Sequence, residues 1–307
     1  MALLFACPYC KTETMIDDAY VGQSGPCAIC GRIVAVPQQQ VPTKTPGVVM
    51  AKPPAQTGQI IMLIAVVIGS LFAGAAVIGI TVAIVAPALA TARVAAYKTQ
   101  SGSNLEQIAQ ALEQYHVKHG SYPPAITTDK NGKPMHSWRV LILQELGYHQ
   151  LYRQYDFNQP WDQGVNATLV MQMPEVFAAP GDDAARISKE TSYMVVVGRE
   201  TMFPGPNKSR TRDQATDGIS STVLVVESSR SGVCWMEPKD LDAQKMNYTV
   251  NGAPSGCIRG EHPDGASVVM VDGKARFLSK DEAAEFVEAL LTAAKGDAAP
   301  MEILGTP

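Results

Sequence analysis

Four cysteines near the N-terminus have the number and spacing of a metal site. Cys7 and Cys10 form one Cys-x-x-Cys pair, and Cys27 and Cys30 form a second pair after sixteen intervening residues. Four thiolates are the ligand set of a closed, tetrahedral structural Zn²⁺ site, which leaves no position for a reacting water. We predict one structural zinc ion in a zinc ribbon over residues 1–36, with a short β-hairpin between the pairs. Two disulfides, or a redox Cys-x-x-Cys without its usual βαβ context, are the alternatives.

Motifs for other chemistry are absent from the sequence. It contains no His-Glu-x-x-His, no phosphate-binding Gly-x4-Gly-Lys and no Gly-x-Ser-x-Gly. We therefore expect no enzymatic activity, no catalytic residue and no organic cofactor. The net charge of −4, with no basic run, also argues against a nucleic-acid partner.

A long apolar segment follows the cysteine pairs. No charged residue lies between Lys52 and Arg93. A run of this length exceeds the roughly 20 residues that cross a bilayer and is too long for the core of a signal peptide. We predict a transmembrane helix over residues 59–91, reached through a Pro/Gln-rich linker at 37–58, with the lipid bilayer as a partner. Small residues spaced four apart, such as Ser70 and Gly74, would allow a homo-oligomer.

The orientation of this helix depends on sulfur chemistry, because the flanking charges do not decide it. Two lysines precede the helix, and Arg93 and Lys98 follow it. Thiolate zinc sites persist where the cell is reducing, whereas the remaining cysteines, Cys234 and Cys257, could form a disulfide in an oxidising compartment or stay as two thiols. We expect a single-pass inner-membrane protein with a cytoplasmic N-terminus and its C-terminal head outside.

Beyond the membrane, the pattern predicts an amphipathic helix and then a mixed head. Leu105, Ile108, Leu112 and Tyr115 form one apolar stripe over residues 92–120, which Gly120 ends. Strand-like runs and two further helices, at 137–155 and 280–295, fill the head at 121–300. The predicted fold class is α+β, with a long helix packed on an antiparallel β-sheet.

Five separated motifs resemble one bacterial family. They are SWRVLILQEL (137–146), YDFNQPWD (155–162), TSYMVVVG (191–198), TDGISSTVLVVE (216–227) and HPDGASVVMVDGKARFLS (262–279). Together with the apolar-then-amphipathic helix, they are similar to the pilin-like domain of unknown function 1559, whose C-terminal hallmark is His-x9-Asp-Gly. The resemblance extends from about residue 91 to 300 and implies a membrane-anchored, surface-facing protein with no known reaction.

The chain departs from the pilin-like pattern where the apolar helix starts. Members carry a cleavage motif there, with a glutamate used in filament assembly. Here Gly58 is followed by Gln59, and Leu63 stands in place of the glutamate. We therefore expect a permanent anchor that acts as a structural or interaction module for an unidentified protein partner. A pseudopilin-like subunit of a secretion or pilus-type assembly is the alternative.

The hallmark residues are His262, Asp272 and Gly273. We interpret them as structural, with Asp272 and Gly273 forming a hairpin turn between VVMV and ARFL and His262 tying the hairpin to a neighbouring loop. A second alternative is a ligand-binding or hydrolytic head in which His262 and Asp272 act as an acid–base pair.

Overall fold

A computed structural model describes residues 2–37, 56–252 and 255–296, without the side chains of 2, 3, 18, 56–82, 84 and 85. The chain forms two compact units, Met1–Gly74 and Ala75–Pro307. Strands and helices occur together, which confirms the predicted α+β class. The predicted linker at 37–58 lies almost wholly outside the described residues.

The first unit contains two β-hairpins. Strands β1 (Ala2–Ala6) and β2 (Glu13–Asp17) form one, and β3 (Ser24–Pro26) and β4 (Ile33–Ala35) form the other. A single 3-10 turn, Asp18–Tyr20, follows β2. The prediction of one hairpin between the cysteine pairs is therefore wrong. The intervening residues give one strand to each hairpin, so each cysteine pair lies at a hairpin turn.

Helix α1 extends from Gln56 to His119. It ends where predicted, because Gly120 has φ +82°, a left-handed conformation that suits a helix C-terminus. Within the part of the chain whose side chains are described, no helix is both long and apolar enough to cross a membrane. Most of the predicted transmembrane segment, 59–91, lies outside that part.

The head is built on a four-stranded antiparallel sheet in the order β12-β11-β9-β7. Its strands are β7 (Tyr193–Met194), β9 (Val223–Glu227), β11 (Gly265–Met270) and β12 (Ala275–Ser279). Two smaller pairs accompany it: antiparallel β5 (Ile126–Thr128) with β6 (Pro134–Ser137), and parallel β8 (Val196–Val197) with β10 (Leu241–Asp242).

The central sheet is buried on both faces. Side chains of a strand alternate between faces, so Val225 and Val269 belong to the core that includes Leu105, Ile108 and Leu112 of α1. The next residues along these strands, such as Val226 and Val268, pack instead with α6 (Ala284–Leu291). The predicted apolar stripe of α1 is thus confirmed, with Tyr115 partly buried against the same core.

Shorter helices complete the head. They are α2 (Trp138–Leu141), α3 (His149–Gln154), α4 (Gly164–Leu169) and α5 (Asp183–Ser188), with single 3-10 turns at Val170–Gln172, Glu175–Phe177 and Arg212–Gln214. The single helix predicted over 137–155 is therefore divided in two. Gly147, with φ +86°, lies between α2 and α3 and explains the interruption.

Candidate metal centre and the cavity beside His262

The two cysteine pairs have the same local backbone structure. In the first hairpin the Cys7 N–H donates to Thr12 O and the Lys11 N–H donates back to Cys7 O. The second hairpin repeats both bonds, from Cys27 to Arg32 O and from Gly31 to Cys27 O. The residue after each second cysteine has positive φ, +55° at Lys11 and +69° at Gly31. Each turn therefore directs its two thiols to the same side.

The four sulfur atoms lie together in one cluster. Cys7 Sγ is 3.8 Å from Cys30 Sγ, and Cys10 Sγ is 3.9 Å from Cys27 Sγ. All four Sγ atoms lie within 4.8 Å of one another. Sulfurs bonded at about 2.3 Å to a tetrahedral ion are separated by about 3.8 Å. The cluster could therefore bind one metal ion with little rearrangement.

The thiols do not titrate alike. Hydrogen bonds from the hydroxyl and N–H of Thr12 lower the pKa of Cys10 to about 6. The N–H groups of Cys30 and Ile29 lower the pKa of Cys27. At Cys30 the Arg32 N–H lowers the pKa, but burial and the neighbouring thiols together raise it to about 11. Four thiolates at this spacing need a compensating cation, which a bound metal ion supplies.

The side chains of the hallmark residues His262 and Asp272 are not in contact. They lie at opposite ends of β11, whose six residues span about 20 Å. The geometry therefore gives no support to an acid–base pair made of these two side chains.

Asp272 and Gly273 form the turn between β11 and β12. Asp272 Oδ1 accepts the Lys274 N–H at 2.9 Å, and Gly273 has φ +83°. Arg276 lies close to the same carboxylate, with Nη2 3.9 Å from Asp272 Oδ2. The predicted hairpin turn is confirmed. Asp272 and Gly273 both serve to form this turn, as the structural interpretation expects.

His262 lies at the open end of the same hairpin. Its Nδ1 accepts the Asp264 N–H at 3.1 Å, and its ring meets the Phe277 ring edge-on at 5.2 Å. Burial lowers the pKa of His262, so the neutral ring is favoured. These contacts hold the loop that precedes β11 against β12, as the structural interpretation of this histidine requires.

A small cavity beside His262 gathers polar groups from distant parts of the chain. Its volume is about 10 Å³, and it is lined by Tyr97, Lys98, Ser101, Pro180, Glu227, Glu261, His262 and Ser267. Glu227 is 4% exposed, and its burial raises its pKa to about 7 despite the N–H that it accepts from Ser267. Glu227 ends the apolar, strand-like run of TDGISSTVLVVE (216–227), so the sequence places a carboxyl at the end of a strand. The parts played by Lys98, Glu261 and Ser267 have no local sequence signal.

Of the two possibilities left open for Cys234 and Cys257, a disulfide or two thiols, the structure contains no disulfide between them. Cys234 forms a backbone bridge with Glu190 and packs against the core on the α1 side of the sheet. Cys257 is buried in a separate bridge, with Asn247. The two cysteines thus belong to different strand-like pairings.

Comparison with protein families matches residues 90–249, just over half of the 307 residues, to a family described as a protein of unknown function, DUF1559. The matched stretch begins after the cysteine pairs and ends before His262. Searches among curated proteins and among solved structures found no match.

Proposed function

The chain belongs to the DUF1559 family of proteins of unknown function, and we propose that this member is a permanently membrane-anchored envelope protein. In this proposal the ribbon of residues 1–36 holds one Zn²⁺ ion in the cytoplasm. The head lies outside the inner membrane and acts as a structural or protein-interaction module.

The observation that carries the proposal is a change in burial along α1, from exposed side chains before Arg93 to buried ones from Ser101 onward. The helix has 64 residues, and buried positions on its described part begin at Ser101. Leu89, by contrast, is 63% exposed. Residues 86–92 are likewise exposed, and they belong to a stretch of sequence that is free of charge from Lys52 to Arg93. A bilayer is the environment that suits such a segment.

Zinc is the metal that we propose for the cysteine cluster. Cys7, Cys10, Cys27 and Cys30 would each provide one thiolate, and their sulfur spacing fits a tetrahedral ion. Bound zinc would supply folding free energy to a unit too small to build an adequate core. Because thiolate sites persist in reducing compartments, the ribbon is assigned to the cytoplasm.

An interaction role suits the head better than a catalytic one. The cavity beside His262 holds about 10 Å³, roughly the space of one water molecule and too little for a substrate. His262 and Asp272 are separated by the length of β11. Both features support a head that works through its surface.

Cell fractionation tests the anchored protein against the pseudopilin-like alternative. We expect the full chain to stay in the membrane pellet after an alkaline carbonate wash, because the apolar part of α1 would be held by the bilayer. Shearing of intact cells should release none of it, and its apparent mass should match all 307 residues. Recovery in a sheared filament fraction, or a mature chain that starts near residue 59, would favour the pseudopilin-like subunit instead.

A further inference from the structure

The two cysteine turns come together at one end of the ribbon, and we call residues 7–12 and 27–32 its tip. The residue before the second cysteine of each turn, Tyr9 or Ile29, is exposed, by 58% and 65% respectively. All four Sγ atoms lie within 4.8 Å of one another, so the turns are neighbours. Arg32 of the second turn also lies over the Tyr9 ring, with Cζ 5.2 Å from the ring centroid. Both turns therefore contribute to one exposed surface.

The charges of the ribbon are divided between this tip and the rest of the unit. Lys11 and Arg32 are the two basic residues of the sequence 1–36, and both belong to the tip, whose sequence contains no acidic residue. Both residues are exposed. The three acidic residues of the ribbon lie in β2 and in the 3-10 turn that follows it. The tip thus combines an aromatic ring, an aliphatic side chain and two cations.

Such a combination suits the interface between a bilayer and water. Tyrosine and aliphatic side chains enter the boundary between the headgroups and the acyl chains, while lysine and arginine keep their charged ends among the lipid phosphates. Lys11 and Arg32 also offset the net negative charge of a zinc ion held by four thiolates. The tip can therefore enter the interface without taking a large net charge with it.

The chain itself keeps the ribbon close to a bilayer. The described ribbon ends at Pro37 and α1 begins at Gln56, so residues 38–55 join them. Fully extended, this segment spans at most about 60 Å. With α1 held in the bilayer, the ribbon stays within that distance of the membrane surface, and a weak contact is favoured by the high effective concentration.

We propose that the tip of the ribbon docks on the surface of the membrane that holds α1. Tyr9 and Ile29 enter the interface, and Lys11 and Arg32 lie at the lipid phosphates. This docking rests on the proposed function, because it needs both the membrane anchor and a folded ribbon. It gives the protein a second contact with the bilayer, on the side opposite the head.

A second exposed apolar surface of the ribbon provides the contrast. Leu4 and Met15 are register partners in the first hairpin and are exposed by 60% and 61%. Alternation along β2 places Glu13, Met15 and Asp17 on the same face, and all three are exposed. An anionic lipid surface repels these two carboxylates. We therefore expect this face of the first hairpin to stay in water.

A tryptophan placed at the tip reports whether the tip enters lipid. The full chain with Ile29→Trp is reconstituted in vesicles of phosphatidylethanolamine and phosphatidylglycerol, with or without bromine on the acyl chains, because bromine quenches tryptophan fluorescence on contact. We expect the emission that Ile29→Trp adds to that of the wild type to fall roughly twofold in the brominated vesicles. Tyr9→Trp is the second reporter and should be quenched in the same way.

Met15→Trp is the matched control. Met15 is nearly as exposed as Ile29 but lies between two carboxylates on its face of β2. The emission that Met15→Trp adds should therefore be the same with and without bromine. Each variant should keep the zinc content of the wild type, which shows that its ribbon is folded.

An alkaline carbonate wash of the same vesicles tests the anchor separately from the docking. If the chain stays with the vesicles while neither tip tryptophan is quenched, the docking alone is refuted, and the tip is left as a surface for a cytoplasmic protein. Equal quenching of Met15→Trp and Ile29→Trp also refutes it, because the contact would then not be specific to the tip. A chain that the wash removes from the vesicles contradicts the anchor, and the docking with it.

Discussion

At the scale of residues, two clusters differ in how far the sequence reveals them. The four cysteines could be predicted together because their spacing is local within each pair and the pairs repeat. The cavity beside His262 could not, because Lys98, Glu227 and Ser267 come from α1, β9 and β11. No sequence pattern links these residues. Only the packing of α1 on the sheet brings them together.

The cysteine cluster leads to a prediction about metal content. We expect the chain, purified under reducing conditions without chelator, to contain one zinc ion. Cys7→Ser should lose it, because the set would be left with three thiolates and Cys7 is the buried member, 2% exposed. Elemental analysis measures the zinc-to-protein ratio.

Cys234→Ser is the control for that experiment. Cys234 lies in the head and outside the sulfur cluster, so this variant should keep one zinc per chain. A zinc-free wild type, or a Cys7→Ser protein that keeps its zinc, would contradict the assignment.

At the scale of elements, local sequence signals predict the turn and the helix end correctly, whereas tertiary contacts change the extent of a strand. The turn at Asp272 and Gly273 and the end of α1 at His119 both depend on a glycine with positive φ, which the sequence displays. The strand-length apolar run YMVVVG (193–198) is instead divided into β7 and β8. At Val195 the N–H donates to the buried carboxylate of Asp240, 45 residues away.

Asp240 explains why that strand changes partners. Its Oδ1 also accepts bonds from Trp138 Nε1 at 3.1 Å and from Arg139 Nη2 at 2.6 Å, and Arg139 and Asp240 are both fully buried. Burial lowers the pKa of Arg139 and raises that of Asp240, so each charge depends on its partner. Beyond Val195 the chain pairs with β10 instead of β9.

The β11–β12 hairpin allows a prediction that separates two roles of glycine. At Gly273 an added Cβ meets nothing within 4 Å, so Gly273→Ala should cost only the left-handed backbone, about 1–2 kcal/mol. At Gly265 an added Cβ would overlap Leu278 O, so Gly265→Ala should destabilise the head by about 3 kcal/mol through displaced backbone. Urea unfolding followed by tryptophan fluorescence measures both.

Gly273→Asn is the companion variant, since asparagine tolerates the left-handed conformation better than alanine. It should be more stable than Gly273→Ala. A Gly273→Asn protein that is no more stable than Gly273→Ala would show that the turn is held by contacts other than its backbone conformation.

At the scale of the whole molecule, we propose that the ribbon and the head lie in different compartments. The ribbon needs reduced sulfur for its proposed zinc, and the apolar part of α1 between the sequence of the ribbon and that of the head suits a bilayer. The charges that flank this segment are balanced, so charge alone leaves the direction of insertion open. The proposed topology therefore depends on the reducing environment that the cysteine thiolates need, and not on the charged residues that flank the apolar segment.

Protease protection on spheroplasts tests this central claim most directly. The full chain would carry one epitope tag before residue 1 and another after residue 307. With the outer membrane removed and the inner membrane intact, we predict that external protease destroys the C-terminal tag and spares the N-terminal tag until the cells are lysed. Loss of the N-terminal tag without lysis, or survival of the head until lysis, would contradict the proposed arrangement.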